Sequence, residues 1–423
     1  MDNQRRQFLR AGAAGLALAG LSGCAGIGGV ASKGRVVVVG GGFGGATAAK
    51  YIRLIDPSIE VVLVEPNEVF VSCPISNLVL GGFKTIADVT TPYTGLEKNH
   101  GIRIVRDRAT AIDPAKREVR LAGGGTLAFD RVIVSPGIDF IPGAIPGLAA
   151  PGAADRVLHA WKAGPQTVQL RRQLEQMPDG GVYVLSVPEA PYRCPPGPYE
   201  RACQVAAYFK AAKPRSKVLV LDANGDVTSK GPLFKKAWNE LYKGIVEYRP
   251  NSKAVDVDAR AGVVKLELED VKGDVINVVP PMKAGAIADP FITANRRWCE
   301  VDWLTYESKA APRVHILGDA LQIAPAMPKS GHMANAQAKA CAAAVAALMG
   351  GEAPNPAPTL TNTCYSFVSK DLVVHVASVH KYDRRDRTMK TVPGSGGVSA
   401  AMNEIEADYA LNWARNIWSD ALA

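Results

Sequence analysis

The segment from Arg35 to Glu65 constrains this chain more than any other. Arg35-Val-Val-Val-Val39 is an unbroken β-branched run, the pattern of a strand buried on both faces of a parallel sheet. Gly40-Gly41-Gly42-Phe43-Gly44-Gly45 follows at once, so Gly40, Gly42 and Gly45 satisfy G-x-G-x-x-G. Ala46 to Ile55 is helical in pattern, and Ile59 to Val64 is a second apolar strand ending in Glu65. The glycines permit a tight turn, close backbone approach to a pyrophosphate and close helix–strand packing. Glu65 stands 20 residues after Gly45, where a ribose hydroxyl needs an acceptor. A glycine motif alone is a weak signal. Set in strand–turn–helix–strand with the acid in place, it predicts an α/β dinucleotide-binding domain.

Two later segments complete that domain. Arg131 to Gly137 is a strand closing on a small-residue turn, and Val314 to Ala320 is a strand ending in Gly318-Asp319. The pattern resembles flavoproteins with two dinucleotide domains, in which a Gly-Asp at this place bonds the ribityl chain of FAD. Met327-Pro-Lys-Ser-Gly331 then leads into an Ala-rich helix, expected from about Asn335 to Met349. Its partly positive amino end would face the flavin N1–C2 carbonyl. Lys329 either assists there or is an ordinary surface lysine. Cys341, inside the helix, reads as a small core residue.

The second domain breaks the pattern. The strand Val182–Val187 runs into Pro188-Glu-Ala-Pro-Tyr-Arg-Cys-Pro-Pro-Gly-Pro-Tyr-Glu200, where a second glycine loop would sit. It carries five prolines and one cysteine, Cys194. Proline offers no N–H to a pyrophosphate and stiffens the loop. The expected consequence is a lost nicotinamide site with a thiol in its place.

The 423 residues suffice for two or three domains with their own cores. No run of about 18 apolar residues exists, so no spanning helix is expected. The net charge is +9, but basic residues are dispersed without interleaved aromatics, which argues against nucleic acid. Such a surface suits an acidic protein partner, or solubility alone. Arg5-Arg6-Gln7-Phe8-Leu9 before a Gly/Ala-rich run resembles a twin-arginine export signal, implying a periplasmic protein. Leu21-Ser22-Gly23-Cys24 reads as a lipobox with Cys24 lipidated. The alternative is cleavage further on, near Val30-Ala31-Ser32. A lipid at Cys24 would tether the protein to a membrane surface. No C-x-x-C-H occurs, so no covalently attached haem is expected on this chain. The six histidines form no ligand-spaced pair near a cysteine, and no metal site is expected.

With these residues in view, the chain from about residue 33 onward resembles the flavoprotein subunit of flavocytochrome c sulfide dehydrogenase. The resemblance rests on Arg193-Cys-Pro-Pro-Gly-Pro-Tyr-Glu-Arg201, Asn362-Thr-Cys-Tyr-Ser366, Met327-Pro-Lys-Ser-Gly331 and the segment around Ser72-Cys73. It implies that Cys73 holds FAD through an 8α-thioether, although Pro74 departs from the pattern. It implies that Cys194 and Cys364 form a redox-active disulfide over the flavin, with Glu200 an acid beside them and Trp413 packing by the ring. A purely stabilising disulfide is the plainer alternative for Cys194 and Cys364. Core packing on a Tyr409–Trp413–Ile417 helical face is the alternative for Trp413. Cys203, Cys299 and Cys341 receive no role. The run His380 to Arg387 reads as a solvated hairpin tip.

The expected fold class is α/β, with two Rossmann-like FAD/NAD(P)-type domains in a glutathione-reductase-like arrangement and a C-terminal flavin-interface segment. The expected boundaries are a signal at 1–24, an FAD domain at 33–150 and 286–355, a second nucleotide-binding-like domain at 151–285, and the C-terminal segment at 356–423. The expected activity is sulfide dehydrogenation. Hydrosulfide opens the bridge by thiol–disulfide exchange, FAD accepts two electrons, and haem on a separate c-type cytochrome subunit takes them singly. Sulfide:quinone oxidoreductase is the nearest alternative, though the tail Glu404–Ala423 carries four acids against one arginine and suits membrane adhesion poorly. A non-catalytic or reactivating flavoprotein partner in sulfur oxidation is the third.

Overall fold

The computed structural model describes residues 32–423, and the signal and lipobox expected at 1–24, Cys24 included, lie outside them. From Lys33 onward the chain forms one compact unit. In chain order, β1 (Arg35–Val39), α1 (Phe43–Ile55), β2 (Glu60–Val64), β3 (Arg103–Val105) and β4 (Arg131–Val134) build most of a first sheet. The chain then departs to make β5 (Val157–Leu158), β6 (Val182–Val187), α2 (Gly197–Ala212), β7 (Lys217–Asp222), α3 (Gly231–Leu241), β8 (Val246–Arg249) and β9 (Val275–Val278). It returns with β10 (Val314–Ile316) and α4 (Gly331–Met349), and ends in β11 (Thr359–Phe367), β12 (Val373–Asp383) and α5 (Ile405–Leu422).

The first sheet is parallel throughout, in the order β10-β4-β1-β2-β3. Val36, Val37 and Val38 are fully buried, as a central strand covered on both faces requires. The second sheet is also parallel, in the order β5-β9-β6-β7-β8. The chain leaves the first sheet through Ile138–Phe140 and returns through Met282–Ala284, and these two segments pair antiparallel. The α/β class with two Rossmann-like sheets is therefore what the structure has. β11 and β12 form a long antiparallel hairpin pairing Cys364 with Val376 and Tyr365 with His375.

Several local expectations need correcting. The Ala-rich helix α4 begins at Gly331, not near Asn335, because Ser330 caps it by accepting the Met333 N–H at 3.0 Å. Lys329 is not on the surface; it is 3% exposed. On α5 the inward face is Ala407, Ala410, Ala414, Ile417 and Ala421, while Tyr409 is exposed. Tyr409 therefore does not share a packed face with Ile417. Small alanines let the helix lie close against its neighbours, and that turns the tyrosine outward. Arg384 to Arg387 does form the exposed tip of a hairpin, with Asp383 opposite Thr388. Among the described residues no helix is long and apolar enough to cross a membrane.

Candidate active site

The glycine loop shows what each glycine is for. Gly40 has φ +98° and carries the turn in a conformation side chains rarely adopt. A Cβ on Gly45 would meet the Gly40 carbonyl oxygen at 1.8 Å, so only glycine lets α1 pack this close to the loop. A Cβ on Gly42 would meet nothing within 4 Å, and no side chain caps the first turn of α1. That open space in front of free helix amides fits a pyrophosphate. Glu65 is buried, its carboxylate accepting the Gly41 N–H at 2.7 Å and both the Asn67 N–H and side-chain amide.

At the far end of the sheet, Gly318-Asp319 follows β10. Asp319 Oδ1 is buried without a hydrogen-bond partner, and burial holds its carboxyl above the usual carboxylate range. An acceptor left over in this position fits a polyol chain. The Lys329 ammonium donates to the Asp319 carbonyl at 2.9 Å and to that of Leu321, and lies 3.6 Å from the Trp298 ring centroid. Burial lowers its pKa to about 7. Lys329 thus braces the Gly-Asp turn through backbone rather than projecting free. Together these groups fit FAD: Gly40, Gly42 and Gly45 with Glu65 for the adenosine diphosphate half, Gly318 and Asp319 for the ribityl half.

The proline loop lies against this domain. Cys194 sits at φ +58°, and its N–H donates to the Lys329 carbonyl at 2.8 Å, while its own carbonyl accepts the Gly197 N–H at 2.9 Å. The loop is therefore pinned at the point where α4 begins. Burial pushes the Cys194 thiol well up, with Cys364 and Glu200 adding to the effect and Arg193 and Lys230 opposing it. Cys364 arrives on β11, and its thiol is likewise raised by burial, with Lys230 opposing. Both are free cysteines within electrostatic reach of one another, although 170 residues separate them in sequence.

Glu200, on the first turn of α2, is 7% exposed. It accepts the Phe367 N–H from β11 at 2.8 Å and the Asn77 side-chain amide at 2.8 Å. Burial raises its pKa. Cys73 lies nearby; its sulfur accepts from the Ala163 N–H at 3.4 Å and from the Arg193 guanidinium at 3.3 Å. Trp413 rests half-buried, its ring centroid 5.9 Å from that of His332 and 6.1 Å from that of Tyr365. Six of the expected residues (Cys73, Cys194, Glu200, Asp319, Lys329 and Cys364) are thereby linked directly or through Arg193 and Lys230, and Trp413 joins them through Tyr365 on β11.

Sequence reasoning missed three functional features. Lys230, just before α3, is 6% exposed among the thiols. Arg193 bridges toward Cys73, Cys194 and Asp319, with its Nε buried and unpartnered. Asp222, at the end of β7, is fully buried with its carboxylate taken by the Tyr199 hydroxyl at 2.7 Å, the Tyr248 hydroxyl at 3.0 Å and Asn224. An acid at that strand end is where a second dinucleotide's ribose would be held. Here tyrosines fill the place. Only Asp222 had a usable signal, its position at the end of an apolar strand. Among the described residues no group of three or more His, Cys, Asp or Glu side chains is placed to hold a metal ion.

Residues 167–280 match the model of the central domain of the sulfide dehydrogenase (flavocytochrome c) flavoprotein chain, and residues 356–422 match the flavocytochrome c sulphide dehydrogenase flavin-binding model. A sulfide dehydrogenase (flavocytochrome c) flavoprotein chain from Chlorobaculum thiosulfatiphilum is 71% identical over 45 residues, 11% of this chain and 94% of that sequence. The chain belongs to the flavocytochrome c sulfide dehydrogenase flavoprotein family. Residues 34–177 match the wider pyridine nucleotide-disulphide oxidoreductase model, and the family is one of flavin-dependent oxidoreductases. The mitochondrial sulfide:quinone oxidoreductase of Mus musculus is 26% identical over 299 residues, 67% of this chain and 65% of that protein. Among solved structures, sulfide:quinone oxidoreductase from Aquifex aeolicus aligns with a TM-score of 0.72 at 16% identity, covering 92% of this chain and 91% of that one. A putidaredoxin reductase–putidaredoxin complex aligns with a TM-score of 0.66 at 18% identity, covering 91% and 94%. These two share the fold. A flavin-binding site and oxidation of sulfide by a flavoprotein are what the family supports.

Proposed function

We propose that this flavoprotein oxidises hydrosulfide through a Cys194–Cys364 disulfide and passes the electrons, by way of FAD, to a c-type cytochrome subunit. The observation that carries the proposal is that two thiols from distant parts of the chain come within electrostatic reach of one another. One is pinned by a backbone hydrogen bond to Lys329 at the start of α4, and the other is carried in on β11. Hydrosulfide attacks one sulfur of the bridge; a new S–S bond forms as the old one breaks, leaving a persulfide and a thiolate. FAD, when bound, supplies the two-electron sink. The chain holds the thiols rigidly, and Glu200 manages a proton beside them. Cys73 is the proposed point of covalent attachment, with the Arg193 guanidinium donating to its sulfur at 3.3 Å. Acid precipitation tests it: yellow colour stays with the pellet, and colour released to the supernatant overturns the attachment.

The deciding experiment is anaerobic sulfide addition to the purified protein and to Cys194→Ser and Cys364→Ser, followed by flavin absorbance. Sulfide bleaches the wild type, and each variant loses that reaction. Wild-type rates in the variants would sink the proposal. Export by the twin-arginine route to the periplasm, with or without a lipid at Cys24, completes the reading. Replacing Arg5 and Arg6 with lysine should then keep the protein in the cytoplasm. Sulfide:quinone oxidoreductase activity is the second reading, favoured by the likeness to proteins of that name. Parallel assays with a c-type cytochrome and with a soluble quinone separate the two.

A further inference from the structure

The buried Lys230 belongs to no part of the proposed chemistry so far, yet it stands at the junction of the two thiol-bearing segments. It precedes α3 in the left-handed conformation, φ +57°, which turns its side chain inward. All its ammonium protons have partners: the Cys364 carbonyl at 3.0 Å, the Ser366 hydroxyl at 2.7 Å and the Val374 carbonyl at 3.4 Å. A neutral polar side chain would satisfy such acceptors without the cost of burying a charge. The charges facing Lys230 are Cys364 on β11, Glu200 on α2, Cys194 on the proline loop and, from α5, Glu406, itself paired with His375 at 2.9 Å. Three oxygen acceptors and these acidic groups favour its charge, and burial opposes it.

We infer that Lys230 is a positioning residue that holds the Cys364 strand and stabilises Cys364 as the thiolate released when the bridge opens. The inference rests on the proposed thiol chemistry. It gives the exchange a direction: hydrosulfide bonds to Cys194, the Cys194–Cys364 bond breaks, and the electron pair leaves on Cys364 beside the ammonium. One negative charge enters and one remains, and no further oxidant or reductant is consumed. With its three protons engaged on oxygen, Lys230 acts by charge and placement, not by donating to sulfur. The ammonium is tied directly to residue 364 through the Cys364 carbonyl at 3.0 Å, so the released charge is better placed on Cys364 than on Cys194.

The test needs neither sulfide nor an electron acceptor. The full-length flavoprotein is reduced with a dithiol, desalted anaerobically and alkylated with iodoacetamide across pH, with each cysteine followed by peptide mass spectrometry. In the wild type, Cys364 reacts faster than Cys194 near neutral pH. Lys230→Gln slows Cys364 by about tenfold and moves its pH inflection up by about one unit, whereas Lys230→Arg keeps the inflection. Lysine loss with an unmoved Cys364 inflection overturns the assignment. If Lys230→Gln does not fold, the wild-type order decides alone: Cys194 reacting first, or both alike, overturns it. Failure of sulfide to bleach the wild-type flavin would instead strike the hydrosulfide reading and leave the alkylation result standing.

Discussion

Glu200 is a carboxyl group tied between two segments that meet nowhere in sequence, Asn77 and Phe367. Burial raises its folded pKa above the ordinary 4.5, although the Phe367 N–H and the Asn77 amide pull the other way. The stability it contributes is fully present below that ordinary value and is lost as pH rises through the folded one. Glu200→Gln removes the titration while keeping an acceptor for Phe367. The difference in Tm between the variant and the wild type should therefore shift in favour of the variant as pH rises from about 4.5. A difference constant with pH would show that the carboxyl does not titrate there. The same variant should lower sulfide-driven flavin reduction on the order of 10²-fold, the usual scale for losing a positioned acid–base group. The sequence marked Glu200 through its motif, but its partners come from two other elements and were invisible along the chain.

At the scale of elements, the glycine loop separates two functions that a motif conflates. Gly45→Ala drives a Cβ into the Gly40 carbonyl, so it should cost about 1–3 kcal/mol of stability and lose flavin together. Gly42→Ala has open space before it and ordinary backbone, φ −70°. It should cost the fold no more than about 1 kcal/mol, the scale of a poorer helix cap, while reducing bound FAD. Thermal melts of the apo chain and flavin content per chain check both. Equal losses of stability would mean that Gly42 is also a packing glycine. β1, α1 and β2 were legible because strand and helix periods are local. α4 was placed four residues late because Ser330 and Gly331 carry no apolar signal; the cap is a hydrogen bond, and a pattern of hydrophobicity does not record it.

At the scale of the whole molecule, the site is an assembly of three parts: the proline loop of the second sheet, the Gly-Asp turn and α4 of the first, and the β11–β12 hairpin. The second sheet keeps a Rossmann-like order but fills its own nucleotide crevice. Pro195, Pro196 and Pro198 offer no amide N–H, and Tyr199 and Tyr248 occupy Asp222. NADH should therefore leave the flavin spectrum unchanged under conditions in which sulfide bleaches it. Bleaching by NADH would mean the crevice opens, and the enzyme would then be a reductase. Removing residues 359–423 should abolish sulfide-driven flavin reduction, because it takes away Cys364 and the Phe367 N–H that steadies Glu200.

The sequence by itself determined the α/β class, the glycine loop with Glu65, the Gly-Asp turn and the thiol in the proline loop. Each depends on neighbours a few residues apart, whose geometry the backbone transmits directly. Only the tertiary structure decided that Cys194 and Cys364 lie within electrostatic reach of one another, that Lys329 is buried, that Lys230 is buried against the Cys364 strand and that Asp222 is sealed by tyrosines. Those facts depend on burial and on charges brought together by packing. A side chain's desolvation and the charges around it are properties of the folded interior, and the order of residues along the chain does not contain them.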